Sequence, residues 1–452
     1  MAKADRDAVL RARKRVPPPG GALLEDTEKM KQKHHRMLCA FCALVILVST
    51  VFPTAAFAEQ PVDAAAAEQT LTRADAAEMQ QADAAVTVLT ESEQYQEMDT
   101  EARKDAALAQ LDTLAAKGLV EKDSIYTDEE NGMVSFRYPC GVLGGILLTE
   151  PEDETLDEEN AETETTSNAL PLRLPPDLGA EMQKSRAALL RRTENQAVEK
   201  FGTAVIYYAF DNTINSSRFP YYSYMQGFWS ALGLETKINI HVTVADLKKM
   251  GNYNVSVLSA HGSYYTYSYG KFLKRTRTEP IMLLTEESTF GKDLRYGFDL
   301  LAHRVIKVNG MYCVTSDFFR NAYKGGKLSN TIVYSETCEF LGVDGSEDNA
   351  MADALLSGGA QAVIGYVNNV YTVYSRSMLW DTINHLIMGQ NVGQALEHAK
   401  ATYGEDDLIW YHAQGGRRPH AAASYAVLYG NSQAALHVPE SNRSMFSADL
   451  AA

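Results

Sequence analysis

Between residues 201 and 430, unbroken runs of Val, Ile, Ala and Tyr alternate with segments of helical spacing, and this rhythm most narrows what the chain can become. Residues 203–210 (TAVIYYAF) form one such run, with helical spacing over 221–232 behind it. Then come 237–242 (KINIHV), a short helical stretch at 245–250, and 254–260 (NVSVLSA). Residues 331–335, a helix at 349–356, and 360–367 (AQAVIGYV) continue the series, followed by helices at 375–388 and 392–403 and a last strand at 424–429. Strands apolar at nearly every position are buried on both faces, so the pattern predicts an α/β class with a mostly parallel sheet covered by helices. No internal repeat is visible.

The rest of the 452 residues leaves room for further domain-sized pieces. Residues 1–36 are rich in Lys and Arg, 37–52 are almost wholly apolar, and Pro53 precedes Ala56-Phe57-Ala58, a small-x-small pattern. Residues 1–58 therefore read as an export signal cut before Glu59, which implies a secreted or cell-surface protein. The competing reading is an uncleaved anchor, and a membrane enters only through it. Cys39 and Cys42 open the apolar run, whereas a lipidated cysteine would close it.

Residues 59–149 form an N-terminal segment. Its first part, 61–87, lacks apolar periodicity and is expected to be a flexible arm. Residues 93–119 carry Ala106, Leu108, Leu111, Leu114 and Ala115 at helical spacing with Gly118 as a stop, and 133–138 and 142–148 read as a hairpin, giving a small α+β domain. Residues 150–164 hold nine Asp or Glu and no Lys or Arg, which marks 150–200 as an acidic linker, prolonged by 171–176 and ending in a charged helix with Arg191-Arg192. Calcium is the alternative for the acidic block, but it lacks the alternating ligands and glycine turn of a calcium loop.

Without 1–58 the chain keeps 32 Lys and Arg against 53 Asp and Glu, a net −21, so a broad nucleic-acid footprint is not expected. Three cysteines remain, Cys140, Cys313 and Cys338. That is too few for a disulfide scaffold, and the odd number leaves at least one thiol free.

In open parallel sheets, functional groups gather beyond the carboxyl ends of the strands. VSVLSA runs straight into His261-Gly262, and TIVYSET runs straight into Cys338, 77 positions later. An imidazole beside a thiol can lower its pKa and manage the protons of a leaving group, so His261 and Cys338 form a candidate nucleophilic dyad. A glycine after the histidine lets its N–H approach a substrate carbonyl, and with the N–H of Cys338 it would make an oxyanion hole. Each residue alone has an ordinary explanation, a packed thiol or a hydrogen-bonded histidine.

These two blocks resemble the clan CD cysteine peptidases, which include caspases, legumains, gingipains and clostripain. Residues 349–366, a helix, a Gly-Ala turn and a strand, are similar to the stretch after the cysteine in clostripain-like and CHAT-type members. The resemblance covers roughly 201–435 and implies a three-layer α/β/α caspase-like core at 201–440, preceded by the α+β segment as a candidate propeptide. It also implies a peptidase acting on protein or peptide through His261 as general acid/base, Cys338 as nucleophile, and the Gly262 and Cys338 amides as oxyanion donors. Glu336, two before the cysteine, would line the pocket for the side chain preceding the cleaved bond. A carboxylate there favours Arg or Lys, although legumain-like members with Glu in this place prefer Asn. The alternative function is a catalytically silent caspase-like module used for binding or cell-surface interaction.

The insertion 263–328 is longer than the family core requires. Its tyrosine-rich stretch 263–270 reads as a loop for extended peptide or as ordinary packing, and Lys274-Arg275-Thr276-Arg277 as a candidate self-cleavage loop. Asn309-Gly310 signals a hairpin, with Cys313 expected in packing. No G-x-S-x-G, P-loop or H-E-x-x-H occurs, and the ten histidines lack metal spacing, so no cofactor is expected. Calcium is the alternative at 344–348, where a helix-capping loop is the simpler expectation.

Overall fold

A computed structural model describes residues 70–148, 184, 198–210, 221–270, 274–407 and 423–446. Residues 1–58, read above as an export signal, the acidic block 150–164, the 171–176 run and Arg191-Arg192 lie outside the described residues.

The chain opens with helices α1 (Arg73–Thr90) and α2 (Thr100–Ala116), then strands β1 (Tyr126–Asp128), β2 (Met133–Arg137) and β3 (Leu143–Leu147). Next come β4 (Gly202–Ala209), α3 (Tyr221–Ala231), β5 (Leu234–Asn239), β6 (Val255–Ala260), β7 (Gly262–Tyr269) and β8 (Arg275–Glu287). Helix α4 (Phe290–Leu301), β9 (Val305–Val308), β10 (Met311–Thr315), α5 (Ser316–Ala322) and β11 (Ile332–Ser335) come after them. The small strands β12 (Gly342–Val343) and β13 (Ser346–Glu347), α6 (Ala350–Ser357), β14 (Ala362–Val367), α7 (Thr372–Ile387), α8 (Val392–Tyr403), β15 (Asp406–Asp407), β16 (Ser424–Gly430) and a last helix, α9 (Glu440–Phe446), follow.

Seven strands form the expected mostly parallel sheet, in the order β15-β16-β14-β11-β6-β4-β5. From β14 to β5 every pairing is parallel, and only β16 runs the other way, pairing antiparallel with both β14 and β15. The central strands are apolar on both sides because both sides are covered. Ala204, Ile206 and Tyr208 join one apolar cluster with Trp229, Met378 and Leu379, while Val205, Tyr207 and Ala209 join another with Leu247, Phe319 and Leu355. The edge strand β5 instead alternates, Leu234 and Thr236 inward and Glu235 and Lys237 outward, as a strand with one wet face should.

The second seven-stranded sheet, ordered β1-β2-β3-β9-β10-β8-β7, joins pieces far apart in sequence. Segment 126–148 and insertion 263–328 meet where β3 pairs with β9, Gly144 opposite Lys307. This sheet nearly closes: Arg137 Nη2 on β2 donates to Ser268 O on β7 at 2.9 Å, and Ser268 Oγ to Ser124 O at 3.2 Å. Met133, Leu143, Tyr265, Ile281, Ile306 and Cys313 fill its interior. The Asn309-Gly310 turn has both residues at positive φ, the geometry of a two-residue hairpin.

Three sequence expectations change. The arm expected over 61–87 contains helix α1, which buries Ala76, Met79, Ala82 and Val86. Two of these four are alanines, which show weakly as apolar periodicity, and a Thr72–Asp75 capping box fixes its start. The tyrosines of 263–270 are not a loop: β7 pairs with β8 along its whole length, and Tyr264, Tyr265 and Tyr267 are buried. Arg275 and Arg277, read as part of a self-cleavage loop, lie in that ladder opposite Tyr269 and Tyr267, where a peptidase would first have to free them. At 344–348, Asp344-Gly345 forms the turn of the β12–β13 hairpin, and Asp348 Oδ1 accepts the Ala350 N–H at the start of α6.

Candidate active site

Strands β6 and β11 are parallel neighbours, with Ile332 opposite Val255 and Ser335 opposite Leu258. The Glu336 N–H extends the ladder to Leu258 O at 2.8 Å. The offset between paired residues is 77, the separation of His261 and Cys338, so the register brings those two residues level at one rim. The backbone of Gly262 lies against that of Cys338: a Cβ on Gly262 would stand 2.1 Å from Cys338 O and 2.4 Å from Thr337 Cγ2. Only a residue without a side chain fits there.

His261 and Cys338 are both half-buried, neither sealed in nor fully exposed. The Val370 N–H, just beyond β14, donates to Cys338 Sγ at 3.4 Å, and Sγ also lies 3.6 Å from Val370 O. Phe210, at the end of β4, packs edge-on against the His261 ring with centroids 4.7 Å apart. Four strand ends thus contribute to one rim. His261 also starts the second sheet: its carbonyl accepts the Leu283 N–H at 2.9 Å, and Gly262 then pairs with Met282.

Glu336 sits behind this rim. It is 3% exposed, with Tyr222 Oη donating to Oε2 at 2.9 Å and Ser375 Oγ donating to Oε1 at 3.4 Å. Burial pushes its carboxyl above the usual range, opposed by the Arg376 charge and by hydrogen bonds from Tyr222, Ser259 and Ser375. Arg376, itself buried, lies over the rings of Tyr221 and Tyr222 at 4.8 and 5.2 Å. The negative charge of Glu336 is therefore balanced from within. The other two thiols lie away from the rim strand ends, Cys140 between β2 and β3 and Cys313 on β10. Cys313 is buried and Cys140 half-buried, and burial raises both above the ordinary thiol value.

Sequence reasoning reached His261, Gly262, Cys338 and Glu336 but not Phe210, Val370 or Arg376. The rule that pointed to the ends of β6 and β11 applies equally to β4 and β14, and would have found the first two. Arg376 stands out as the one cation in an otherwise uncharged stretch, 372–380. Among the described residues the one grouping of side chains able to hold a metal is Asp381, His385 and His398, not the rim groups. No helix among the described residues is long and apolar enough to cross a membrane.

No protein-family model matches this sequence, and no curated protein matches it at a significant level. What the chain does has to be argued from the rim itself.

Proposed function

We propose that this chain is an exported cysteine endopeptidase with a caspase-like three-layer core, secreted or held at the cell surface. The observation that carries the reading is the register that sets His261 level with Cys338, with Gly262 against the Cys338 carbonyl. The two apolar clusters flanking the parallel sheet support the layered core.

In the proposed reaction the Cys338 thiolate attacks the carbonyl carbon of a peptide bond, and the resulting oxyanion is met by the Gly262 and Cys338 N–H groups. Because His261 and Leu283 form the hydrogen-bonded pair, Gly262 and Met282 form the next, non-bonded one, which turns the Gly262 N–H away from β8. The C–N bond breaks as His261 gives its proton to the leaving amine, leaving a thioester on Cys338. His261 then takes a proton from water, which attacks the thioester and releases the thiolate. A preference for Arg or Lys finds little support, because Arg376 already offsets Glu336; peptides ending in Arg or Lys should be cleaved no more than a few-fold faster than Asn peptides.

A peptidyl acyloxymethyl ketone tests the proposal. It should label Cys338 and spare Cys140 and Cys313. The rate should fall about 10²- to 10⁴-fold in His261→Ala. Gly262→Ala, which forces the Cys338 backbone away, should also lose labelling. Equal modification of all three thiols, or labelling indifferent to His261, would favour the silent binding module instead.

A further inference from the structure

Helix α7 is buried almost from end to end, and a helix closed off on all sides is ordinarily apolar. This one carries Asp381 and His385, one turn apart on the same face. Asp381 is 8% exposed, and the ion-pair partners the structure gives it are both imidazoles: His398 of α8, with Nδ1 at 2.7 Å from Oδ2, and His385, with Nε2 at 3.6 Å from Oδ1. The two rings stack, centroids 3.7 Å apart and planes inclined by 34°. A carboxylate this far from solvent is costly unless a positive charge sits beside it. One ligand atom from each of the three residues falls within 4.8 Å of the others.

We propose that Asp381, His385 and His398 form a binding site for a zinc-like divalent cation that ties α8 to α7. Two imidazole nitrogens and one carboxylate oxygen are a donor set that zinc takes, usually leaving one position for water. Such an ion would accept a lone pair from each ring and neutralise Asp381. His398, with 47% of its side chain exposed, gives the ion a way in. An outer partner is also at hand. His385 Nδ1 and Gln390 Oε1 are both buried and make no well-formed hydrogen bond, although the Gln390 side chain is close enough to act on the ring. Turning that amide onto Nδ1–H would satisfy both atoms and hold the Nε2 lone pair toward Asp381. The site stands apart from the proposed chemistry: Asp381 and His385 lie roughly 9 and 15 Å along α7 from Ser375, the helix residue that touches Glu336.

The test uses full-length protein carrying Cys338→Ala, so that the rim thiol cannot capture the ion, stripped of metal and titrated with zinc against a chromogenic chelator. One equivalent should bind, and cobalt in its place should give the visible absorption of a four-coordinate nitrogen–oxygen site. His398→Ala and Asp381→Asn should each weaken binding at least about tenfold, with Gln390→Ala in the same direction. Zinc should also shield His398 from diethyl pyrocarbonate in the parent protein, a readout that needs no variant to fold. Absence of binding, affinity unmoved by His398→Ala and Asp381→Asn, or modification of His398 unchanged by zinc would each overturn the proposal.

Discussion

Two titratable residues are set to oppose each other as pH changes: Glu279, buried on β8, and His303, half-buried in the turn before β9. Burial pushes the Glu279 carboxyl up to about 7, countered by Arg277 and reinforced by Asp317. Burial brings the His303 ring down to about 4, although its Nε2–H donates to Gly141 O at 3.0 Å. A carboxyl raised in the folded state gives stability that is full below its unfolded value near 4.5 and lost as pH rises toward 7. A ring lowered in the folded state gives stability that is full above 6.5 and lost as pH falls toward 4. Between about pH 4.5 and 6.5 the slopes oppose, so the native melting temperature should change little from these two groups. Glu279→Gln should leave a melting temperature that climbs with pH over that window. His303→Asn, which tolerates the residue's φ of +55°, should leave one that falls. Each effect should be at most about 3 kcal/mol, and both variants tracking the parent would refute the argument. At this scale sequence could place His261 and Cys338 at one rim, since strand ends are visible as apolar runs that stop. It could not find the Asp381 grouping, because three ligands spread over two helices show no spacing until those helices come together.

At the scale of elements, α1 is tied to the second sheet by a buried polar contact as well as by its apolar face. Lys307 on β9 is 1% exposed and lies 2.5 Å from Asp83 Oδ2 of α1 and 2.9 Å from Asp293 Oδ2 of α4. Tyr138 and Ser288 donate to Asp83, and Tyr312 and Gln80 donate to Asp293. Two carboxylates share one ammonium, and removing it would strand both in the interior. Lys307→Met should cost about 3–5 kcal/mol in urea denaturation, and Lys307→Arg, which keeps the charge, should cost less. A loss under about 1 kcal/mol for the methionine variant would show that the cluster does not hold these elements. The elements legible in the sequence were those whose apolar pattern is strong: β4, β6, β11 and β14 lie within one or two residues of their expected ends. Helix α8 matches at both ends. Strand β5 lies three residues earlier than expected at each end, because an edge strand is only half apolar. Strand β7 was missed because alternating Tyr, Ser and Thr reads as a surface loop until β8 is seen to cover it.

At the scale of the whole molecule, the pairing of β3 with β9 bears on the idea of a propeptide. Segment 70–148 supplies three of the seven strands of the second sheet and both of its leading helices. It is fastened to the insertion by Tyr265 Oη on Gly144 O at 2.7 Å, His303 on Gly141 O, and the Leu147 N–H on Asn309 Oδ1 at 3.1 Å. Val134, Phe136, Tyr138 and Ile146 are buried against the same core. Each would lose roughly 1.5–3 kcal/mol on exposure to water. A leader that departs after cleavage would open the sheet whose strand β7 begins at Gly262, beside Cys338. The segment is therefore expected to stay as a noncovalent chain after any cut between 149 and 197. With a specific protease site placed within 150–164 and cleaved, the two pieces should co-elute in size exclusion and separate only in denaturant. Labelling of Cys338 should then stay within about twofold of the uncut protein, since the groups held at the rim are unchanged. Release of the N-terminal piece under native conditions, with Cys338 still reactive, would return that segment to the status of a removable leader.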